Sequence, residues 1–182
     1  MSVKCVGEAL ETRVGVSVRA ARREDMPVVH RMIQELAALE GMPAGPTLTV
    51  QDLERDGFDR SPPWFFGLVA ECSGAEGPRV VGHALCNRAY SSWTRCAFYV
   101  EDLYVEPSAR RHGVGTRILQ HLCQMAVEEG VHRIDWHVLE TNAEALSFYS
   151  RMGARDLRLT EGRAALRLDV EAIRALAAEA PK

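Results

Sequence analysis

Apolar positions recur at helical spacing between 24 and 39, where Val28, Val29, Met32, Ile33, Leu36 and Leu39 share one face. The predicted helix stops at "EGMPAGP", with its two glycines and two prolines. Before it, the alternating "VSVRAA" predicts a first strand at 16–21, and after it Thr49 with Asp52 reads as a capping pair opening a shorter helix through Arg55. Three runs rich in β-branched and aromatic residues predict strands: "WFFGLVAEC" at 64–72, "RVVGHALCNRAY" at 79–90 and "CAFYVEDLYVE" at 96–106. The short link "SGAEGP" makes the first two antiparallel neighbours. Ile118, Leu119, Leu122, Cys123, Met125 and Ala126 mark a helix ending near Gly130. A strand in "HRIDWHVL" and a helix in "NAEALSFYSRM", stopped by Gly153, come next. Two closing strands around 155–160 and 163–168 and an alanine-rich helix, "VEAIRALAAEA", complete the expected order.

Length and composition narrow this to one globular α/β domain: 182 residues at 47% hydrophobic content can fill a sizeable core. The ordered domain is expected over 16–169, preceded by a flexible extension at 1–15 and followed by a helical tail at 170–182. A net charge of −3 argues against a nucleic-acid binder, which would carry a basic surplus, so any anion binding must be local. Cys5, Cys72, Cys86, Cys96 and Cys123 are widely separated and mostly within apolar runs. They read as small core residues of a reduced, cytoplasmic protein, with no metal site and no disulfide framework. No stretch approaches the roughly 20 apolar residues of a membrane span.

Against that background, "EPSARRHGVGTRILQ" at 106–120 stands out. Gly113 and Gly115 permit backbone conformations that a Cβ would block, and they lead into the first turn of a helix, whose N–H groups are free. With Arg110, Arg111 and His112 beside them, a phosphate or pyrophosphate could be cradled there. Neither the lysine of a P-loop nor a GxGxxG is present. On these residues alone, an ordinary strand-to-helix turn with solvated arginines stands equally open.

The spacing Arg-x-x-Gly-x-Gly at 110–115, its preceding strand, and "NAEALSFYSRMGA" at 142–154 together resemble the GNAT superfamily of N-acetyltransferases. The wording of "IQELAALE", "LERDGF", "LVAE", "YVEDLYV" and "FYSRMGARDL", with Glu161-Gly162, is similar to the spermidine/spermine (diamine) acetyltransferases and their thialysine-acetylating relatives. The resemblance implies a mixed, mostly antiparallel sheet flanked by helices and splayed where acetyl-CoA (coenzyme A) enters, usually as a homodimer. It implies that Leu103, Tyr104 and Val105 pair with the pantetheine arm as an added strand. It also implies that Arg110, Arg111, His112, Gly113, Val114, Gly115 and Thr116 hold the pyrophosphate, with Asn142, Ala143, Glu144 and Ala145 further along the cofactor.

The chemistry defines what else is needed. An alkylamine attacks a thioester only as the free base and arrives protonated, so a carboxylate must take its proton directly or through water. Glu101 and Asp102 sit side by side on the strand before the loop; neighbouring strand residues face opposite ways, so only one reaches the reacting centre unless a bulge intervenes. The resemblance favours Glu101 as base, with Asp102 nearer a structural role, and Tyr149 as the general acid for the leaving thiolate. A carboxylate-lined cleft would steer a cationic small-molecule amine. The positions matched to acceptor binding are Leu39, Glu40, Glu101, Asp102, Trp93, Asp135, Trp136, His137 and Glu161. In "AYSSWTRC", Ser91 stands where polyamine acetyltransferases tend to carry aspartate, and Arg88 and Arg95 would repel a polycation. That shifts the expected acceptor toward thialysine or a lysine-like amino acid. An acetyltransferase acting on a protein lysine or N-terminus, and a catalytically silent acyl-CoA binder, are the alternative classes.

Overall fold

In the computed structural model, residues 15–74 and 77–178 are described. The strands β1 (Val16–Ala20), β2 (Phe66–Gly74), β3 (Gly77–Ser91), β4 (Arg95–Val105) and β5 (Arg133–Trp136) form one sheet in chain order. The first four pair antiparallel and β5 joins β4 in parallel. A parallel neighbour cannot be reached by a hairpin, and the crossover is the helix α3 (Val114–Glu128).

The helical pattern of 24–39 forms α1 (Met26–Leu39), with Met26, Val29, Met32, Ile33 and Ala37 buried. Thr49 caps α2 (Val50–Glu54): its hydroxyl accepts from the Asp52 N–H, and the Asp52 carboxylate accepts from the Thr49 N–H at 2.9 Å. The chain then widens into a π turn over Arg55–Asp59. One apolar cluster joins Met26, Val29 and Ile33 of α1 and Leu53 of α2 to Val69 and Leu85 of the sheet. Leu85 points to that side of β3. Gly82, three residues earlier, faces the other side, where an added Cβ would meet Ile118 of α3 at 3.4 Å. The helices α1 and α3 therefore cover opposite faces. Burying five apolar side chains on each, at about 1.5–3 kcal/mol per large side chain, is what fixes both against the sheet.

Two irregularities in this sheet shape the site. Leu85 pairs with Asp102 but Cys86 pairs with Val100, so Glu101 is an extra, bulged residue on β4. On the other edge, β4 and β5 pair only from Ala97↔Arg133 to Val100↔Trp136. Pairing with β5 stops at Val100, and the edge of β4 from Glu101 to Val105 has no strand partner on that side among the described residues. This is the splay that the resemblance implied.

Chain contacts divide the protein into two compact units, one ending at His137 and one beginning at Val138. The second holds α4 (Ala143–Arg151), α5 (Leu157–Glu161) and α6 (Val170–Ala178). The two closing strands expected around 155–160 and 163–168 are absent. Asp156 caps α5 by accepting from the Arg158 N–H at 2.9 Å, and Gly162, at φ 66°, ends it. Residues 163–168 pair with no strand among the described residues. The expected extension at 1–15 lies, but for Gly15, outside the described residues.

Candidate active site

The bulge decides how the two adjacent carboxylates are presented. Asp102 is paired across the sheet with Leu85, so their side chains share a face. Leu85 and Glu101 together line a cleft of about 470 Å³ on the α1 and α2 side. Both carboxylates therefore reach one face, which strict alternation would have forbidden. Asp102 is half-buried and Glu101 exposed. Burial, then the negative charges of Glu101 and of Glu40 at the end of α1, push the Asp102 carboxyl up to about 6. Glu101 makes no ion pair among the described residues. Asp102 is thus a carboxyl that exchanges its proton near pH 6.

The free edge of β4 presents Leu103, Tyr104 and Val105 before the glycine turn. Tyr104 is buried, and its hydroxyl donates to Glu35 of α1 at 2.9 Å. In the turn, Arg111 and Gly113 take left-handed conformations, φ 66° and 79°. Gly113 is the residue before α3, and its carbonyl accepts from the Arg117 N–H at 3.0 Å, so the helix begins with unpartnered amides at Val114, Gly115 and Thr116. Arg111 and His112 are exposed beside them. Arg110 differs: its Nε donates to the Val105 carbonyl at 2.9 Å and its guanidinium lies 5.5 Å from the Tyr104 ring centre. It braces the turn as much as it adds charge. A strand edge with open hydrogen-bonding groups, followed by a left-handed turn and a 15-residue helix whose N-terminus is charged by its dipole, fits a pantetheine arm and pyrophosphate.

The other anticipated residues are spread more widely. Leu39 is exposed and Glu40 half-buried at the end of α1. Ser91 is buried, and its hydroxyl accepts from the Trp93 and Thr94 N–H groups at 3.1 and 3.2 Å; it is spent on the β3–β4 turn, at whose tip Trp93 is exposed. Arg88 is held by Glu129, which caps the end of α3, and lies over Phe66, 4.7 Å from the ring centre. Asp135 pairs with Arg133 at 2.7 Å, Trp136 is half-buried opposite Val100, and His137 Nδ1 meets the Tyr99 hydroxyl at 2.7 Å. Tyr99 was not singled out from the sequence; nothing short of the β4–β5 register would have found it.

In the second unit, Asn142 caps α4, its Oδ1 accepting from the Ala145 N–H at 3.1 Å, with Ala143 and Glu144 exposed in the first turn. Tyr149 is half-buried, its ring 5.2 Å from that of Phe148, and burial raises its hydroxyl above the usual phenol range. It keeps its proton at neutral pH. Glu161 lies between Arg163 at 2.8 Å and Arg155 at 3.7 Å, so its charge is already matched.

Comparison with known proteins identifies the family. The acetyltransferase (GNAT) family profile matches residues 30–154, and the chain belongs to that family. A thialysine N-epsilon-acetyltransferase of Mus musculus is 37% identical over 164 residues, spanning 88% of this chain and 96% of that protein. A spermidine/spermine N(1)-acetyltransferase-like protein 1 of Homo sapiens is 36% identical over 148 residues, 80% of this chain but 21% of its own length. Among solved structures, a Vibrio cholerae integron cassette protein superposes with a TM-score of 0.67 at 21% identity, covering 89% of this chain and 97% of that one. The class is thus an acetyl-CoA-dependent N-acetyltransferase of the GNAT family, related to the thialysine and spermidine/spermine group.

Proposed function

We propose that this enzyme acetylates the terminal amine of thialysine or a similar lysine-like amino acid, with polyamines as poorer acceptors. The observation that carries the reading is the Glu101–Asp102 pair, brought to one face by the bulge beside the free edge of β4. When bound, acetyl-CoA supplies the activated acetyl thioester. The β4 edge at Leu103, Tyr104 and Val105, the turn from Arg110 to Gly113 and the amides of Val114, Gly115 and Thr116 hold it, with 142–145 contributing further along. Glu101 draws the acceptor ammonium into the cleft. A proton must leave that ammonium before its nitrogen is a nucleophile, and Asp102, at about 6, is a carboxyl poised to exchange one near neutral pH, directly or through Glu101 and water. Tyr149, still protonated, is the donor to the leaving thiolate, a role that rests on the family resemblance.

The choice of a lysine-like acceptor is supported by the thialysine acetyltransferases among the relatives, by Ser91 in place of a further carboxylate, and by the matched charge of Glu161. We assign a homodimer, supported by the apolar face of α6, where Val170, Ile173 and Leu176 are each more than half exposed, and by exposed Leu166 and Leu168. We place the protein in the cytosol, supported by free thiols at Cys72, Cys86, Cys96 and Cys123.

Thiol release with thialysine, lysine, spermidine and putrescine, for the native enzyme and for Tyr149→Phe, tests the reading. Loss of about 100-fold in kcat with KM nearly unchanged is expected for the variant. Full activity of Tyr149→Phe would remove Tyr149 from the chemistry, and turnover of a peptide amine but of no small amine would overturn the substrate class.

A further inference from the structure

The sheet wall of the cleft is formed by Leu85, Asn87 and Arg88 of β3 and Glu101 of β4. Most of the cleft's charge is already matched. On the helical wall, Asp52 and Asp56 are both paired with Arg55, at 2.8 and 3.0 Å, and on the sheet wall Arg88 is taken by Glu129. Of the charged and amide side chains that line the cleft, only Asn87 and Glu101 make no hydrogen bond or ion pair among the described residues. Asn87 is half-buried and shares its face with Leu85, two residues earlier on β3. It stands opposite Tyr99, whose hydroxyl meets His137, and Tyr99 lies two residues before Glu101. Asn87 and Glu101 are therefore diagonal neighbours on adjacent strands, a relation that sets side chains about 7–8 Å apart.

A carboxamide presents an acceptor oxygen and an N–H donor side by side and carries no charge. The α-carbon of an amino acid presents the complement, an ammonium donor beside a carboxylate acceptor. We propose that Asn87 is a specificity-determining residue for the far end of the acceptor. The side-chain ammonium is drawn to Glu101, the stem lies against Leu85 and Phe65, Asn87 Oδ1 accepts from the α-ammonium, and Asn87 Nδ2–H donates to the α-carboxylate. The diagonal spacing between Glu101 and Asn87 is one that a stem of lysine or thialysine length bridges. A diamine satisfies Oδ1 alone and leaves the Nδ2–H without a partner, which a site closed over its substrate penalises. The proposal rests on the reading of the protein as a small-amine acetyltransferase and extends it from the reacting nitrogen to the opposite end of the substrate.

The test compares thialysine, 1,5-diaminopentane, which lacks the carboxylate, and butylamine, which lacks any distal polar group, across the native enzyme, Asn87→Ala and Asn87→Asp. Asn87→Ala should raise KM for thialysine about fivefold, with kcat for thialysine and KM for butylamine each within about twofold of native. Asn87→Asp keeps the shape and one acceptor oxygen but exchanges the donor for a second, anionic oxygen. It should raise KM for thialysine and lower KM for the diamine, so that the thialysine-to-diamine ratio of kcat/KM falls about tenfold or more. An unchanged ratio in Asn87→Asp, or equal losses on all three amines in Asn87→Ala, would overturn the role of Asn87. If the native enzyme acetylated none of the three, the parent reading would fall instead. Calorimetric binding of thialysine to the CoA-saturated protein would still read the cleft: weaker binding by Asn87→Asp than by the native chain is expected, and equal binding or none by both would overturn the role.

Discussion

Two groups shifted by burial, half-buried Asp102 and fully buried His83, carry the sharpest expectations at the residue scale, and they titrate in opposite senses. Asp102 is raised to about 6, so its carboxylate forms only as pH climbs through 6. The kcat/KM profile should therefore show an acid limb near pH 6 in addition to the titration of the amine itself. Asp102→Asn should remove that limb along with about 100-fold of the rate, and Glu101→Gln should move it to lower pH by deleting a negative neighbour. A limb unchanged in both variants would dissociate the pair from proton transfer. His83 is fully buried beside Tyr104, with neither ring nitrogen bonded among the described residues, and burial holds it down to about 4. The unfolded chain takes up a proton below about 6.5 while the folded one resists, so stability falls as pH drops from 6.5 toward 4, by about 3 kcal/mol in all. His83→Leu should flatten that decline and gain about 1–3 kcal/mol at pH 7 by removing an unsatisfied polar group, as read by urea unfolding at pH 7 and pH 5. Little of this was legible beforehand. The adjacent carboxylates were visible, but their sharing of a face depends on which residue of β4 is skipped by β3, and single-sequence alternation cannot register a bulge. His83 sat inside an apolar run and carried no motif.

At the scale of elements, local chemistry separates what could be read from what could not. The turn into α3 was legible because the Arg-x-x-Gly-x-Gly spacing constrains the backbone directly: Gly113 occupies a conformation that an L side chain resists. Gly113→Ala should cost about 1 kcal/mol of stability and raise KM for acetyl-CoA several-fold, with KM for the amine little changed; a shift of both together would show a general distortion. The helices α1 and α3 and the meander β2–β3–β4 were legible for the same reason, since each buries one periodic face. The region 155–168 was misread because "RDLRLT" alternates like a strand. Asp156 sits where its side chain caps a helix, and Gly162 closes that helix a turn later. Capping geometry outweighed alternation where no neighbouring strand supplied a ladder. Asp156→Ala should remove about 1 kcal/mol from α5, visible as faster amide exchange confined to 157–161.

The unit that ends at His137 is built on one sheet, with the glycine turn following β4 and the cleft that Glu101 lines on the face opposite α3. Its thiols report that packing. Cys96 and Cys123 are exposed, whereas Cys86 is buried and its thiol is raised to about 12, so labelling of the native protein should modify the first two and spare Cys86 until it unfolds. Prompt modification of Cys86 would contradict the central sheet. The claim on which the rest depends is that the site is built for a short acceptor with an amino-acid end. The most direct measurement is a competition: native enzyme, limiting acetyl-CoA, and thialysine and spermidine at equal concentration, with both acetylated products counted by mass spectrometry, so that their ratio is the ratio of kcat/KM. Acetyl-thialysine should exceed acetyl-spermidine by about tenfold or more. An excess of acetyl-spermidine would contradict the account.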